Sequence, residues 1–239
     1  MSAALPQFCQ PFMRELTGGD EQAIGHFNMI GYGLSGYIGR IFSKHKNDTT
    51  ENIKFPGWLS IFRDFLMGLS IVMLILFYIA TLKAGKEFAT GIAGSTHWLV
   101  FPIIQAFTFA AGMSVLMTGV RMFLAEITAA FVIISEKFIP GSRPALDVPT
   151  VFPYAPNAVI IGFISAYAAG LIAVFVMAAL PSIFPVVIIP AAHICFFSGG
   201  TAAVFGNSSG GWRGAVLGSF VVGLLLAFLP TILYPLYGS

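Results

Sequence analysis

Charge is scarce in this sequence. Asp, Glu, Lys and Arg make up 9% of its 239 residues, against about 25% in a typical soluble domain. From Val148 to Ser239 the only formal charge is Arg213. A soluble chain of this length needs far more charge to cover its surface, so the sequence reads as an integral membrane protein. The net charge of +2 is too small to suggest a nucleic-acid partner. Cysteine is equally sparse: Cys9 and Cys195 lie far apart and lack metal-ligand spacing, which argues against a disulfide framework or a zinc site. No phosphate-binding loop, dinucleotide fingerprint or metal-ligand cluster is present, and spacing supports no Ser-His-Asp arrangement. No catalytic residue, cofactor or metal is therefore expected on this chain.

What is abundant is apolar surface, 57% of residues, arranged in helix-length runs. Residues 1–64 hold most of the charge and form a polar N-terminal region. Within it, 23–41 is rich in glycine, which costs about 1 kcal/mol per residue in an isolated helix but lets backbones approach closely in a membrane bundle. It reads as a short, broken membrane helix or hairpin carrying His26. That histidine is either an interfacial residue or a hydrogen-bonding group for a substrate. Residues 40–64 form a connector with Arg40, Lys44, Lys46, Lys54 and Arg63, placed in the cytoplasm by the positive-inside rule. Phe55-Pro56-Gly57-Trp58 suits the membrane–water interface.

Residues 65–239 read as a membrane bundle. Spans are expected at about 65–82, 99–120 and 157–180, followed by a broken helix at 182–197 and a last span at 214–233. Lys83–Thr96 reads as a short polar turn. Residues 121–138 continue as an interfacial helix in which Arg121 and Glu126 can meet. Gln105, Gly112 and Gly119 form a small-or-polar stripe, and Gly162, Ala166 and Gly170 a small-xxx-small face, both read as packing surfaces. The fold class is all-α: a polytopic helical bundle with broken or re-entrant helices.

Two stretches carry the candidate chemistry. Residues 140–162 hold five prolines (Pro140, Pro144, Pro149, Pro153 and Pro156) and Asp147, the last carboxylate of the chain. Proline removes backbone donors and bends its predecessor toward extended geometry, so no continuous helix crosses this stretch. Broken backbone among membrane helices lines a cavity or is buried in protein, and a carboxylate there is a functional candidate. The second stretch, 198–214, clusters Ser198, Thr201, Asn207, Ser208 and Ser209 among glycines. It reads as a re-entrant hairpin or as a water-facing loop. Broken elements in separated regions of a chain point to a transporter binding site. Asp147 accepts hydrogen bonds and His26 donates or accepts, which suits a polyhydroxylated solute. Ser198, Thr201 and Asn207 are further candidate contacts.

The residues also resemble a known family. Gly119-Val120-Arg121-Met122-Phe123-Leu124-Ala125-Glu126, Pro140-Gly141, Ala145-Leu146-Asp147 and Ala155-Pro156-Asn157-Ala158-Val159 are similar to the L-ascorbate-specific IIC permease of the bacterial phosphotransferase system, of the ascorbate/galactitol superfamily. Phe196-Phe197-Ser198, Gly210-Gly211-Trp212-Arg213, Gly25-His26 and Phe55-Pro56-Gly57-Trp58-Leu59 extend the likeness. The resemblance implies a homodimeric multi-pass permease of the bacterial inner membrane that binds and translocates ascorbate. A cytoplasmic IIB partner, recharged by IIA, would phosphorylate the solute from its own cysteine, so no phosphorylated residue is expected here. It also implies that the family's amino-terminal half is supplied by a separate chain or missing. The family's histidine is typically followed by Gln, where this chain has Phe27, which points toward a related sugar or polyol. The alternatives are a proton- or cation-coupled secondary transporter using Asp147 as its ion site, and a truncated fragment that does not transport.

Overall fold

The computed structural model describes residues 4–53, 65–139 and 143–237. The Phe55–Trp58 interface motif, Pro140-Gly141 and the Arg121 side chain lie outside what is described. In chain order the elements are α1 (Ala4–Thr17), β1 (Ala23–Ile24), α2 (Met29–Ile41), α3 (Phe65–Ala84), α4 (Lys86–Ala93), α5 (Phe101–Lys137), β2 (Ala145–Leu146), α6 (Pro156–Ala179), α7 (Ala192–Ile194) and α8 (Gly200–Leu233). Among the described residues, three stretches are long and apolar enough to cross a bilayer, 101–120, 156–179 and 192–236, and a bent helix pair, Leu69–Ala84 with Lys86–Ala93, would add a fourth. The protein is an all-α membrane protein in which two-residue strands are the only described β structure. It divides into two compact units, residues 54–122 and residues 1–53 with 123–239.

In the smaller unit, α3 and α4 are bent by 119° at Gly85, whose φ of +86° is open to glycine and rarely to other residues. The expected polar turn over 83–96 therefore contains a helix of its own. Its apolar Phe88, Ala89, Ile92 and Ala93 recur at helical spacing. Gly112 and Gly119 on α5 face open space among the described residues, so the expected packing stripe has no partner within this unit. α5 itself is one helix of 37 residues, because its single proline, Pro102, falls in the first turn, where it is tolerated. At about 1.5 Å per residue it reaches roughly 56 Å, far more than a bilayer's hydrocarbon core. The helix thus continues without a break beyond the apolar stretch 101–120.

The larger unit is organised by glycine. Its α8 runs helically through 200–210, breaks at Gly211 (φ 65°, ψ −158°) and resumes. The two legs fold back on each other: a methyl group on Gly206 would collide with the Gly214 carbonyl. Gly39 of α2 seals the same crossing, with no room for a side chain, since its Cβ would stand 2.6 Å from the Gly206 oxygen. The 198–214 stretch is thus a helical hairpin with a buried first leg, which corrects the reading of a water-facing loop. Burial between α2 and α6 overrides the poor helix propensity of its glycines. On α6, Gly162 meets Gly199 and Ala203, and Gly170 meets Pro190, as a small-xxx-small face requires. Ser165 Oγ donates to the Val216 carbonyl at 2.8 Å. Residues 180–191 are not helical, so the expected broken helix at 182–197 begins only at Ala192. Pro181, Pro185 and Pro190 deny that stretch its backbone donors.

The N-terminal region is more ordered than its polarity suggests. α1 is amphipathic and buries Cys9, Gln10, Phe12 and Met13, with the Phe12 ring set against Gly36 of α2. Asp20 gathers Arg14 and Arg143, and Glu15 gathers Arg40 and Lys46. These exposed pairs orient loops and contribute little stability each. The connector wraps the hairpin apex: the Trp212 amide donates to the Asp48 carbonyl at 2.8 Å. Arg213 reaches the Asp48 carboxylate at 3.1 Å.

Candidate functional site

A two-residue parallel ladder brings the candidate residues together. β1 pairs with β2 in the register Ala23 to Ala145 and Ile24 to Leu146, and the Gly25 amide donates to the Leu146 carbonyl at 2.7 Å. The chain then leaves β1 at His26 and β2 at Asp147. Gly25 is required at this exit, because a Cβ there would stand 2.9 Å from the Ala145 methyl. Proline-rich sequence on one side and glycine-rich sequence on the other keep both exits non-helical.

Asp147 caps the 3-10 helix Val148–Tyr154: one carboxylate oxygen, Oδ1, accepts the Val148 amide at 2.8 Å. Its carbonyl accepts the Thr150 hydroxyl at 2.6 Å. Capping engages one of its two oxygens, and each can accept more than one bond. The residue is exposed. Its charge nonetheless acts on His26 and on Tyr32.

His26 is half-buried. Its Nδ1 lies 2.7 Å from the Tyr32 hydroxyl and 3.3 Å from the Asn28 amide nitrogen. Burial pushes the imidazole below the ordinary histidine value, and the nearby Asp147 charge opposes that shift. Tyr32 is fully buried on α2, and the Ser198 and Thr201 hydroxyls lie near its phenol. Ser198 falls in a π turn over Cys195–Gly199, directly before α8. Such turns are frequent at functional sites. Asn28 Nδ2 is buried and, among the described residues, has no hydrogen-bond partner. A buried amide of that kind is satisfied by water or a solute oxygen.

Of the five sequence candidates, His26 contacts this phenol, Ser198 and Thr201 lie near it, and the Asp147 charge reaches it. Asn207 stands apart from this cluster. Its Oδ1 accepts the Thr50 amide at 2.9 Å, fastening the connector to the first leg of α8. Sequence reasoning missed Tyr32 and Asn28. A tyrosine inside a glycine run, as in Gly31-Tyr32-Gly33, is a signal that could have been weighed. No group of three or more metal-ligating side chains occurs among the described residues.

The fold is that of a polytopic all-α membrane protein whose larger unit carries this group of hydroxyl, imidazole and carboxylate side chains. Residues 1–239 match the family model described as the PTS system sugar-specific permease component, EIIC-GAT, and the chain belongs to that family. It is 32% identical, over 228 aligned residues, to a Mycoplasma pneumoniae protein described as an ascorbate-specific PTS system EIIC component. The match covers 85% of this chain and 34% of that relative, so the chain spans about a third of the relative's length. Family membership and the apolar helices make it a multi-pass protein of the bacterial inner membrane.

Proposed function

We propose that this chain provides a IIC permease's solute-binding surface for L-ascorbate or a closely related sugar or polyol. The observation that carries the reading is the convergence of His26, Asp147, Ser198 and Thr201 on Tyr32. A hydroxyl-rich solute needs acceptors and donors within one small area, and this cluster supplies a carboxylate, an imidazole and hydroxyls. The cytoplasmic IIB and IIA proteins supply the phosphoryl group and recharge it. The site is completed by a separate amino-terminal IIC half, and the assembly is a homodimer. Membership in the sugar-specific permease family supports this reading over an ion-coupled transporter.

The test is equilibrium binding of labelled ascorbate and labelled galactitol to the purified chain, alone and with a co-expressed amino-terminal half. Saturable ascorbate binding that is lost in His26→Ala supports the proposal. Binding unaffected by that substitution removes the cluster from the site. Galactitol displacing ascorbate more strongly than ascorbate itself would reassign the solute.

A further inference from the structure

We propose that Tyr32 is a positioning residue that locks His26 in its Nε2–H form, so that the imidazole meets the solute as a hydrogen-bond donor opposite the acceptor Asp147. The inference rests on the reading that His26 faces the solute, and adds what decides the direction of that contact.

The backbone sets that direction. The Asn28 amide can only donate, and it lies 3.3 Å from His26 Nδ1, so Nδ1 is an acceptor and the ring proton of the neutral imidazole sits on Nε2. Burial keeps the ring neutral near pH 7. The Tyr32 hydroxyl, 2.7 Å from the same nitrogen, must then be a donor. Its oxygen is left as an acceptor. Thr201 cannot supply that proton, because its hydroxyl donates to the Phe197 carbonyl at 2.6 Å. Ser198 is the phenol's other hydroxyl neighbour. The result is a directed contact from Tyr32 to His26, in which the phenol proton points toward the ring and Nε2 keeps its own proton. Stacking of His26 on Tyr32, with centroids 5.6 Å apart and planes 26° apart, holds the imidazole plane. An Nε2–H donor whose ring senses a nearby carboxylate acceptor is complementary to a solute bearing adjacent hydroxyl oxygens, one accepting and one donating. The class of ligand is a vicinal diol or enediol.

The experiment is nitrogen-15 NMR of histidine-labelled full chain in lipid nanodiscs, combined with binding of labelled ascorbate. Wild type should show a single neutral His26 form protonated at Nε2. Tyr32→Phe keeps the ring and loses the hydroxyl; with only the longer 3.3 Å Asn28 contact left on Nδ1, in place of the 2.7 Å phenol bond, it should give a mixture of both forms and bind ascorbate roughly tenfold more weakly, the size of one hydrogen bond. Ser198→Ala, which leaves both rings in place, should shift the same resonances in the same direction by less. An unchanged His26 form in Tyr32→Phe overturns the proposal whatever binding does. Affinity lost in His26→Ala but kept in Tyr32→Phe also overturns it while leaving the site reading intact. Affinity kept in both overturns the site reading.

Discussion

At the scale of single residues, the informative pair is His26 and Asp147. They lie far apart in the chain, and they come within reach of each other's charge because two dipeptides pair in parallel. Asp147→Asn is the cleanest probe. Asparagine caps a helix about as well as aspartate, so the Val148–Tyr154 turn should survive, while the charge is lost. We expect ascorbate affinity to fall by about 1.5–3 kcal/mol, the worth of a hydrogen bond to a charged group, read by equilibrium binding. The His26 titration should also move further down, since the Asp147 charge is what opposes the effect of burial. A histidine whose folded pKa is depressed supports the fold above its unfolded value near 6.5. That support is lost as pH falls from there through the folded value. Melting temperatures compared between about pH 7.5 and 5.5 should therefore drop more steeply in Asp147→Asn than in wild type. An unchanged slope would mean that the two groups do not sense each other. His26 and Asp147 were legible in the sequence because ionisable groups stand out against an apolar background. Tyr32 was not, because a buried tyrosine looks like any other aromatic until its hydroxyl is located. Asn207 stands out in the same way, and in the structure its Oδ1 holds the Thr50 amide: a polar side chain beside glycines announces a partner without saying which.

At the scale of elements, α6 begins without a cap of its own. Ala155 offers no side-chain acceptor at its N-cap. Glu51 of the connector supplies one, its Oε1 accepting the Asn157 and Ala158 amides at 3.0 and 3.3 Å. A carboxylate at this end also faces the positive pole of the helix dipole. Removing it in Glu51→Ala should cost about 1–2 kcal/mol, read as a lower midpoint of thermal unfolding. Glu51→Gln keeps the acceptor oxygen and should cost much less. The pH dependence separates the two effects. Desolvation raises the Glu51 carboxyl above its ordinary value, although the two amides pull it down. A raised acid stabilises the fold fully below its unfolded value and loses that contribution as pH rises through the folded one. Wild-type stability should thus decline across the weakly acidic range relative to Glu51→Gln, which has nothing to titrate. A flat difference would mean that the amide bonds cancel desolvation, and a rising one that they outweigh it. Long apolar helices such as α6 were legible from composition and length alone. The cross-chain cap was not, since nothing local in Thr50-Glu51-Asn52 marks a partner 106 residues away.

At the scale of the whole molecule, glycine has two distinct meanings, and the same substitution should separate them. In the larger unit, Gly39, Gly206 and Gly214 let three backbone segments cross where a single methyl group does not fit. In the smaller unit, Gly112 sits on α5 with open space beyond its Cα among the described residues. The sequence presents these positions alike, as small residues in apolar helices, because composition records the side chain and not the distance to a neighbour. For that reason the bundle class and the α6 face could be read in advance, whereas the helical hairpin of 198–214 could not be told from a loop. Alanine is the better helix former by about 0.8–1.0 kcal/mol. Gly112→Ala should therefore raise the unfolding midpoint slightly and leave solute binding unchanged. Gly206→Ala gains the same propensity but must push the hairpin's legs apart to seat its methyl group, and overpacking of a tight core costs typically 1–3 kcal/mol. It should lower the midpoint and weaken ascorbate binding together, since the first leg of α8 is continuous with the turn that carries Ser198. Thermal unfolding in detergent, with binding measured on the same preparations, gives both readouts. If Gly206→Ala were as stable as wild type, the hairpin legs would not be in backbone contact. Ser198 would then lose the support that holds it beside Tyr32.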